Sequence, residues 1–315
     1  MNNYSIRSSL TNIAKNFIWS LSGYELKKKP IFLFAHRRGG STLLMEAIAA
    51  ADKYRYSDQP LSITSNSFNY LKELPHPNYY KHLSFSDNGE EEKLRYFFDS
   101  IIKGEKIVSA QWNFLRKGFH LNYESSVLKI LNANALIDWF VEQFPEAIFI
   151  YLTRNPINQS ISCMRNNWKL ECRGFFNDQD YISKYLNESQ FRLIKQSLAD
   201  ESKIEAFVAN WILDALPILQ SKEKKNIMIL KYEDLVMYDD VKSKFAGELQ
   251  LDESVFIDFF KVPSKSTKNL SNKETLKKIK KESYNPEKID SDVGEKEREN
   301  IKRMLKEFKI ELYAI

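Results

Sequence analysis

The sequence predicts an α/β fold of three layers, a three-layer sandwich in which helices cover both faces of a mainly parallel central sheet. Two observations support this prediction. Short, almost wholly apolar segments recur along the chain, as expected of strands that are buried on both faces. Segments with helical composition or periodicity alternate with them, as in the βαβ units from which parallel sheets are built. The length of 315 residues fits one large domain, which we place at residues 30–315.

The strands and helices are predicted in the following order. Strands are expected at residues 30–35, 107–110, 127–131, 147–152 and 226–232, and helices at residues 42–51, 135–141 and across much of 178–225. Asn155 is expected to cap a helix that has Pro156 in its first turn. Beyond residue 262 the chain becomes polar and lysine-rich, which predicts a mobile loop and then a closing helix near residues 301–310. The lysines of residues 265–281 either form a solvated face or lie near a nucleotide phosphate.

Composition narrows the classes of function. The net charge is only +5, from 47 basic and 42 acidic residues, so no nucleic-acid partner is expected. Cys163 and Cys172 are too few for a disulfide framework, which predicts a reducing compartment and hence the cytoplasm. The four histidines are scattered without the spacing of metal ligands, so no metal is expected.

Residues 1–29 are predicted to form an amphipathic helix. Apolar residues recur there at steps of three to four, with basic residues around them, and no apolar segment is as long as a signal peptide or a membrane span. The helix would either pack on the domain or touch an anionic membrane surface, with the protein peripheral at the inner face of the membrane.

A glycine-containing loop follows the first predicted strand. It reads His36-Arg37-Arg38-Gly39-Gly40-Ser41-Thr42 and leads into the first predicted helix. A strand, a short turn and a helix start in this order direct backbone N–H groups and the positive end of the helix at one point, which is the geometry of phosphate and sulfate sites. The loop is therefore predicted to bind an anion.

This loop does not match the G-x-x-x-x-G-K-[ST] motif of nucleotide triphosphatases. If Gly40 is the second glycine, then Ala35 stands at the first glycine and Ser41 at the lysine that contacts the β and γ phosphates. A P-loop-like phosphotransferase is therefore an alternative that this loop disfavours.

The segment from Arg38 to Thr42 resembles the 5′-phosphosulfate loop of sulfotransferases, which use 3′-phosphoadenosine 5′-phosphosulfate (PAPS). In that loop a basic residue precedes a small residue, Gly, Ser or Thr, and Thr. The arginine and the Leu-Leu pair after Thr42 look more like the carbohydrate and tyrosylprotein branches than the cytosolic phenol and steroid branch. The resemblance implies a P-loop-NTPase-like domain with Arg37, Arg38, Gly39, Gly40, Ser41 and Thr42 around the donor.

Two more segments match this family in the family's order. A strand ends in Arg154, and Ser162 follows eight residues later, a pair that in the family holds the 3′-phosphate. Arginine grips a phosphate with a forked, charge-assisted contact, and a serine adds a hydroxyl donor. Ser160 is the weaker alternative to Ser162 as the serine that contacts the 3′-phosphate. Tyr232, in a Tyr-Glu-Asp-Leu segment similar to the one beside the adenine in the family, either lies near the purine or is an ordinary buried tyrosine.

The resemblance also implies catalytic roles. Arg38 matches the loop cation that stabilises charge on the departing 5′-phosphate, with Arg37 as the alternative cation. In the carbohydrate and tyrosylprotein branches a glutamate about twenty residues after this cation serves as the base. Asp58 occupies that region here and is the predicted general base, while Gln59 could only orient the acceptor. Glu46 is the second candidate and His120 the third.

The predicted activity is transfer of a sulfuryl group from PAPS to a hydroxyl of a glycan or glycolipid. The aromatic residues Trp112, Trp168, Phe175 and Phe176 suit either the core or a sugar-binding platform. A noncatalytic nucleotide-binding protein with the same fold is the other alternative, since the base is the least supported part of the prediction.

Overall fold

Five parallel strands form the central sheet of the structure, a computed structural model that describes residues 21–61, 88–106, 120–131, 133–170, 173–261 and 293–313. Two short strands pair outside this sheet. The strands are β1 (Gly23–Tyr24), β2 (Ile31–Ala35), β3 (Tyr54–Asp58), β4 (Asn122–Tyr123), β5 (Ser125–Ile130), β6 (Ile148–Thr153) and β7 (Ile227–Lys231). The order in the main sheet is β3-β5-β2-β6-β7, with β2 in the centre, while β1 pairs with β4.

The described α-helices lie between and after these strands. They are α1 (Ser41–Ala51), α2 (Asn88–Ile102), α3 (Ile137–Gln143), α4 (Pro156–Arg165), α5 (Arg173–Phe176), α6 (Gln179–Tyr185), α7 (Glu188–Ser197), α8 (Ile204–Leu219), α9 (Tyr232–Met237), α10 (Asp239–Glu248), α11 (Glu253–Phe260) and α12 (Glu295–Glu307). Among these helices, none combines the length and the apolar character needed to cross a membrane.

The central strand β2 is apolar on both faces, and this is why the fold has three layers. Phe32 and Phe34 pack with helices α2 and α3 on one side of the sheet. Leu33 and Ala35 point to the other side and pack with α1, α10 and α11. Successive side chains of a strand point to opposite faces, so each face of β2 is covered by its own helical layer. Helices α4, α7, α8 and α12 share a further hydrophobic cluster.

The predicted three-layer α/β sandwich with a mainly parallel sheet is confirmed, and four of the five predicted strands are found within two residues of their bounds. The fifth, at residues 107–110, lies outside the described residues, as do the polar segment after residue 262 up to residue 292 and most of the predicted helix at 1–29. The last residues of that N-terminal segment include β1. Strand β3 was not predicted, because only its alternate tyrosines suggest a strand.

Helix α4 begins as predicted. Asn155 is its N-cap, and the side-chain oxygen accepts hydrogen bonds from the backbone N–H groups of Ile157 at 2.9 Å and Asn158 at 3.2 Å. Pro156 stands in the first turn, where its missing N–H costs nothing. The cap fixes the start of α4 at Pro156, two residues after Arg154, which follows the end of β6.

Replacing Asn155 with alanine is expected to lower the free energy of unfolding by about 1 kcal/mol, because two helix N–H groups lose their acceptor. Urea unfolding followed by circular dichroism measures this change. Asn155→Ser is the matched control, since serine keeps a capping oxygen and should retain most of the stability. Equal stability of the alanine variant and the natural protein would contradict the capping role.

Candidate functional site

The loop between β2 and α1 forms a cradle of backbone groups at the carboxyl end of the central strand. The N–H of Gly39 donates to the carbonyl of His36 at 3.1 Å, which closes a tight turn. Gly40 caps α1 with a φ of 89°, a left-handed conformation that glycine adopts without strain. A Cβ atom at Gly40 would lie 2.2 Å from Cδ2 of Tyr232, so this position also has no room for a side chain.

The N-terminus of α1 is open to an anion. Within this helix the first turn contains no acidic residue, and no side chain caps its first N–H groups. The first N–H groups of any helix have no partner inside the helix, and the helix dipole adds positive potential at the same end. Arg38 precedes the helix with a φ of 63°, which is unusual for a residue other than glycine. The loop conformation therefore stores local strain where the ligand is expected.

Two arginines meet beside the cradle. Arg38 Nε donates to the hydroxyl of Ser162 on α4 at 3.1 Å. Arg154, just after β6, donates from Nη1 to the backbone carbonyl of Arg38 at 3.0 Å. Burial lowers the pKa of the Arg38 guanidinium, and the neighbouring charge of Arg154 lowers it further. Both groups remain cations at neutral pH, so an anion between them would relieve their repulsion.

Tyr232, at the start of α9, forms one wall of this region. The guanidinium carbon of Arg154 lies 5.1 Å from the centre of the Tyr232 ring, a cation–π contact. Burial raises the pKa of the Tyr232 hydroxyl, so it stays protonated. The ring also lies against Gly40, as the space available to a Cβ there shows. The structure thus brings the predicted residues of both halves of the donor site, the cradle and the arginine pair, to one place.

A buried ion pair lies on the other side of the cradle. Asp58, at the end of β3, is fully buried, and its carboxylate lies 2.5 Å from Nζ of Lys129 on the neighbouring strand β5. Lys129 also donates to the hydroxyl of Thr42 in the first turn of α1, at 3.0 Å. The two strands are in register at Asp58 and Lys129, so both side chains point to the same face. The cradle is therefore linked to two strands through one ammonium group.

The other predicted candidates lie in different surroundings. The guanidinium of Arg37 lies over the ring of Trp168, with 5.0 Å between the guanidinium carbon and the ring centre. Ser160 is fully buried, whereas Ser162 is partly exposed and bonded to Arg38, which favours Ser162. Glu46 is buried within α1.

Two further candidates lie beside the strands. His120 is bonded through its ring to the carbonyl of Ala49, near the opposite end of α1 from the cradle. Gln59 follows Asp58 with a φ of 52°, and its backbone N–H donates to the carbonyl of Lys129 at 3.1 Å. The donor-site and base roles of the predicted residues stay predictions.

Sequence reasoning missed Lys129, although a signal was present. A lysine in the middle of an apolar strand segment is costly to bury, so it requires a carboxylate partner or an anionic ligand. The partner was hidden because Asp58 lies on β3, a strand that the sequence did not reveal. Only the pairing of β3 with β5 brings the two residues together.

A second network was also missed, and it supports the loop from beneath. The ring of His36 is almost fully buried; its Nδ1 lies 2.6 Å from a carboxylate oxygen of Asp214 on α8, and its Nε2 is hydrogen-bonded to the hydroxyl of Tyr151 on β6. Asn134 donates to the other Asp214 oxygen at 3.0 Å. Both ring nitrogens of His36 are thus engaged, which makes it a structural residue. It joins the first loop residue to the sheet and to α8.

These features define the general class of the molecule. An α/β protein with an open helix N-terminus at the carboxyl edge of its parallel sheet, and with two arginines beside it, is built to hold an anionic ligand. Within the described part of the chain, no three His, Cys, Asp or Glu side chains are arranged to hold a metal ion.

The chain belongs to the sulfotransferase family, whose family model matches residues 30–240, more than half of its length. Sulfuryl transfer is accordingly the type of reaction that the family supports for this protein. No curated protein matches the sequence.

Several solved structures are similar to this chain. A mouse sulfotransferase, SULT7A1, complexed with PAP, is 13% identical; the match covers 91% of this chain and 87% of that one, with a TM-score of 0.43. The sulfotransferase domain from the curacin biosynthetic pathway is 14% identical, with coverage of 91% and 99% and a TM-score of 0.44. Sulfotransferase STF9 from Mycobacterium avium is 12% identical, with coverage of 91% and 77% and a TM-score of 0.38.

Proposed function

We propose that this protein transfers the sulfuryl group of PAPS to a hydroxyl group of a glycan or glycolipid. The observation that carries the donor assignment is the meeting of Arg38, Arg154 and Ser162 beside the cradle. The cradle suits the 5′-phosphosulfate, and the second basic position suits the 3′-phosphate that distinguishes this donor from ATP. Tyr232 would then border the adenosine.

The cradle residues would act on the leaving group. In sulfuryl transfer the acceptor oxygen forms a bond to sulfur while the bond from sulfur to the bridging oxygen of the 5′-phosphate breaks, so negative charge grows on that phosphate. The N–H groups at the start of α1 and the hydroxyls of Ser41 and Thr42 would contact the phosphate. Arg38 would supply the cation at the breaking bond, exchanging its contact with Ser162 for one with the donor.

Lys129 would contribute beside Thr42, at the start of α1. Its ammonium group lies between Asp58 and Thr42, so it is positioned to contact the oxygens of a sulfuryl group held next to Thr42. Asp58 keeps this cation in place and satisfies its charge in a buried setting. The proposed role of Asp58 as general base is retained beside this role in holding Lys129.

The acceptor class and the cellular setting are also proposals. A sugar hydroxyl as acceptor is supported by the loop sequence, with its arginine and following leucines, and by aromatic side chains next to the cradle. The low cysteine count supports a reducing cytoplasm, and the basic residues among the apolar ones of 1–29 support contact with an anionic membrane face.

Calorimetric titration of the full chain with 3′-phosphoadenosine 5′-phosphate (PAP) tests the donor assignment. PAP is expected to bind at least tenfold more tightly than adenosine 5′-monophosphate, because the two ligands differ only in the 3′-phosphate, and one charge-assisted hydrogen bond accounts for that factor. PAP is also expected to bind more tightly than ATP. Equal affinity for PAP and the monophosphate, or tighter binding of ATP, would overturn the proposal and favour a phosphotransferase.

A further inference from the structure

A cleft that is open to solvent lies next to the cradle, on the side of α4 and α8. Its lining includes Arg37, Gln159, Trp168, Lys169, Phe207 and Asn210. This lining is distinct from the contacts among Arg38, Arg154 and Ser162 that form the proposed donor site.

The cleft adjoins the donor site through two structural elements. Arg37 faces the cleft, and the next residue, Arg38, faces Ser162. On α4, Gln159 lines the cleft and Ser162 lies three residues further on, which makes them neighbours on the helix surface. Gln159 also donates to the backbone carbonyl of Arg37 at 2.6 Å and so fixes the loop between the two sites. A molecule in the cleft would therefore lie next to the proposed donor site, beside Arg38 and Ser162.

The cleft carries positive charge. Arg37 and Lys169 are its cationic lining residues, and Asp214 is its carboxylate. Both oxygens of Asp214 are engaged, one by His36 at 2.6 Å and the other by Asn134 at 3.0 Å. The carboxylate is thus committed to the network beneath the loop, and the lining keeps a net positive charge from Arg37 and Lys169.

Aromatic side chains form the walls. Trp168 lies beneath the guanidinium of Arg37, and Phe207 stands one helical turn from Asn210 on α8. The indole N–H of Trp168 is buried and has no hydrogen-bond acceptor among the residues that the structure describes. A buried N–H group normally has an acceptor, and an oxygen of a ligand in the cleft would provide one. The walls thus offer a flat apolar surface and one indole donor.

We infer that this cleft binds the acceptor, and that the acceptor is a ring compound bearing a carboxylate or sulfate group. The inference rests on the proposed function, since it deepens the acceptor side of the same site. The ring would pack on Trp168 and Phe207, and its anionic group would contact Arg37 and Lys169. Acidic sugars and aromatic hydroxy acids both combine a ring with an anionic group, and the experiment below distinguishes between them.

The test uses the full chain saturated with PAP and two glycosides that differ in one group. 4-Nitrophenyl β-D-glucuronide carries a carboxylate where 4-nitrophenyl β-D-glucoside carries a hydroxymethyl group. The glucuronide is expected to bind about tenfold more tightly, as one charge-assisted contact predicts. 4-Hydroxybenzoate provides the non-sugar arm: tighter binding of the glucuronide than of this acid assigns an acidic sugar, and the reverse assigns an aromatic acid. Equal binding of the two glycosides would overturn the inference.

Variants locate the binding. Lys169→Gln is expected to weaken binding of the glucuronide about threefold, because the contact of an exposed charge contributes little, and to leave binding of the glucoside unchanged. Trp168→Leu is expected to weaken both glycosides. Lys222→Gln is the matched control, since it removes an exposed charge that pairs with Glu142 outside the cleft. It should change the affinity for neither glycoside. A Lys169 variant that behaves like the Lys222 control would contradict the cleft assignment. Since Lys169 is exposed, its variant tests the inference even if Trp168→Leu does not fold.

Donor binding separates the two proposals. PAP affinity is measured for every variant and is expected to be unchanged by Lys169→Gln and Trp168→Leu. Failure of the natural protein to bind PAP overturns the proposed function. Normal PAP binding together with equal affinity for the two glycosides overturns only the acceptor inference.

Discussion

Replacing Arg154 with alanine is expected to weaken PAP binding by about 100-fold, whereas binding of adenosine 5′-monophosphate falls by less than about threefold. The difference follows because a charge-assisted contact to a phosphate contributes about 1.5–3 kcal/mol, and only PAP has the 3′-phosphate. Arg154 stands at this position because β6 ends there and α4 begins directly afterwards. Calorimetry with the two nucleotides measures both changes.

Two controls make the Arg154 result specific. Ser162→Ala removes a single hydroxyl and is expected to reduce PAP affinity only about fivefold to tenfold. Arg154→Lys keeps the charge but loses the forked geometry of the guanidinium. Its PAP affinity should therefore lie between those of the natural protein and the alanine variant. Arg154 also donates to the carbonyl of Arg38 and therefore supports the cradle. An equal loss for both nucleotides would show that this support is its whole role.

Replacing Lys129 with methionine is expected to lower the free energy of unfolding by about 3–5 kcal/mol, because Asp58 then remains as a buried carboxylate without its ammonium partner. Urea denaturation at pH 7 measures this loss. The double variant Lys129→Met with Asp58→Asn removes both charges and should recover at least half of it. If the double variant is as unstable as Lys129→Met, the pair is not what stabilises this region.

Turnover of the single variant Asp58→Asn separates the two roles proposed for Asp58. The amide that this substitution introduces can still accept a hydrogen bond from Lys129 but cannot take a proton from the acceptor. A general base contributes about 10²–10⁴ to the rate, so a loss of that size in Asp58→Asn supports the base role. A loss of turnover below about tenfold would show that Asp58 only holds Lys129 in place and is not the general base.

The fold could be predicted because its signals are local. The apolar segment of β2, the glycines after it and the alanine-rich helix α1 are contiguous in the chain, so composition and spacing place the cradle without knowledge of the rest. Arg154 and Ser162 were predicted from the family resemblance, in which a serine follows eight residues after the arginine at the end of a strand. The meeting of these two local units follows from their adjacent parallel strands.

The remaining parts of the site depend on contacts between distant segments. Strand β3 has the sequence Tyr-Arg-Tyr-Ser-Asp, and it buries Arg55 against the ring of Tyr24 on β1, 4.4 Å from guanidinium carbon to ring centre. Nothing in the sequence near Arg55 predicts that partner. Lys129 and Asp58 are also brought together only by strand pairing. Polar side chains buried by such pairs are therefore the features that sequence periodicity misses.

The close approach of Tyr232 to Gly40 means that the residue at each position limits what the other position can accept. A larger residue at position 40 needs the volume that the ring occupies, so a smaller residue at position 232 would have to accompany it. That exchange would restore space but not backbone freedom, because the positive φ at Gly40 still disfavours every other residue. In a library that randomises both positions, we expect glycine to persist at 40 while 232 accepts other flat rings.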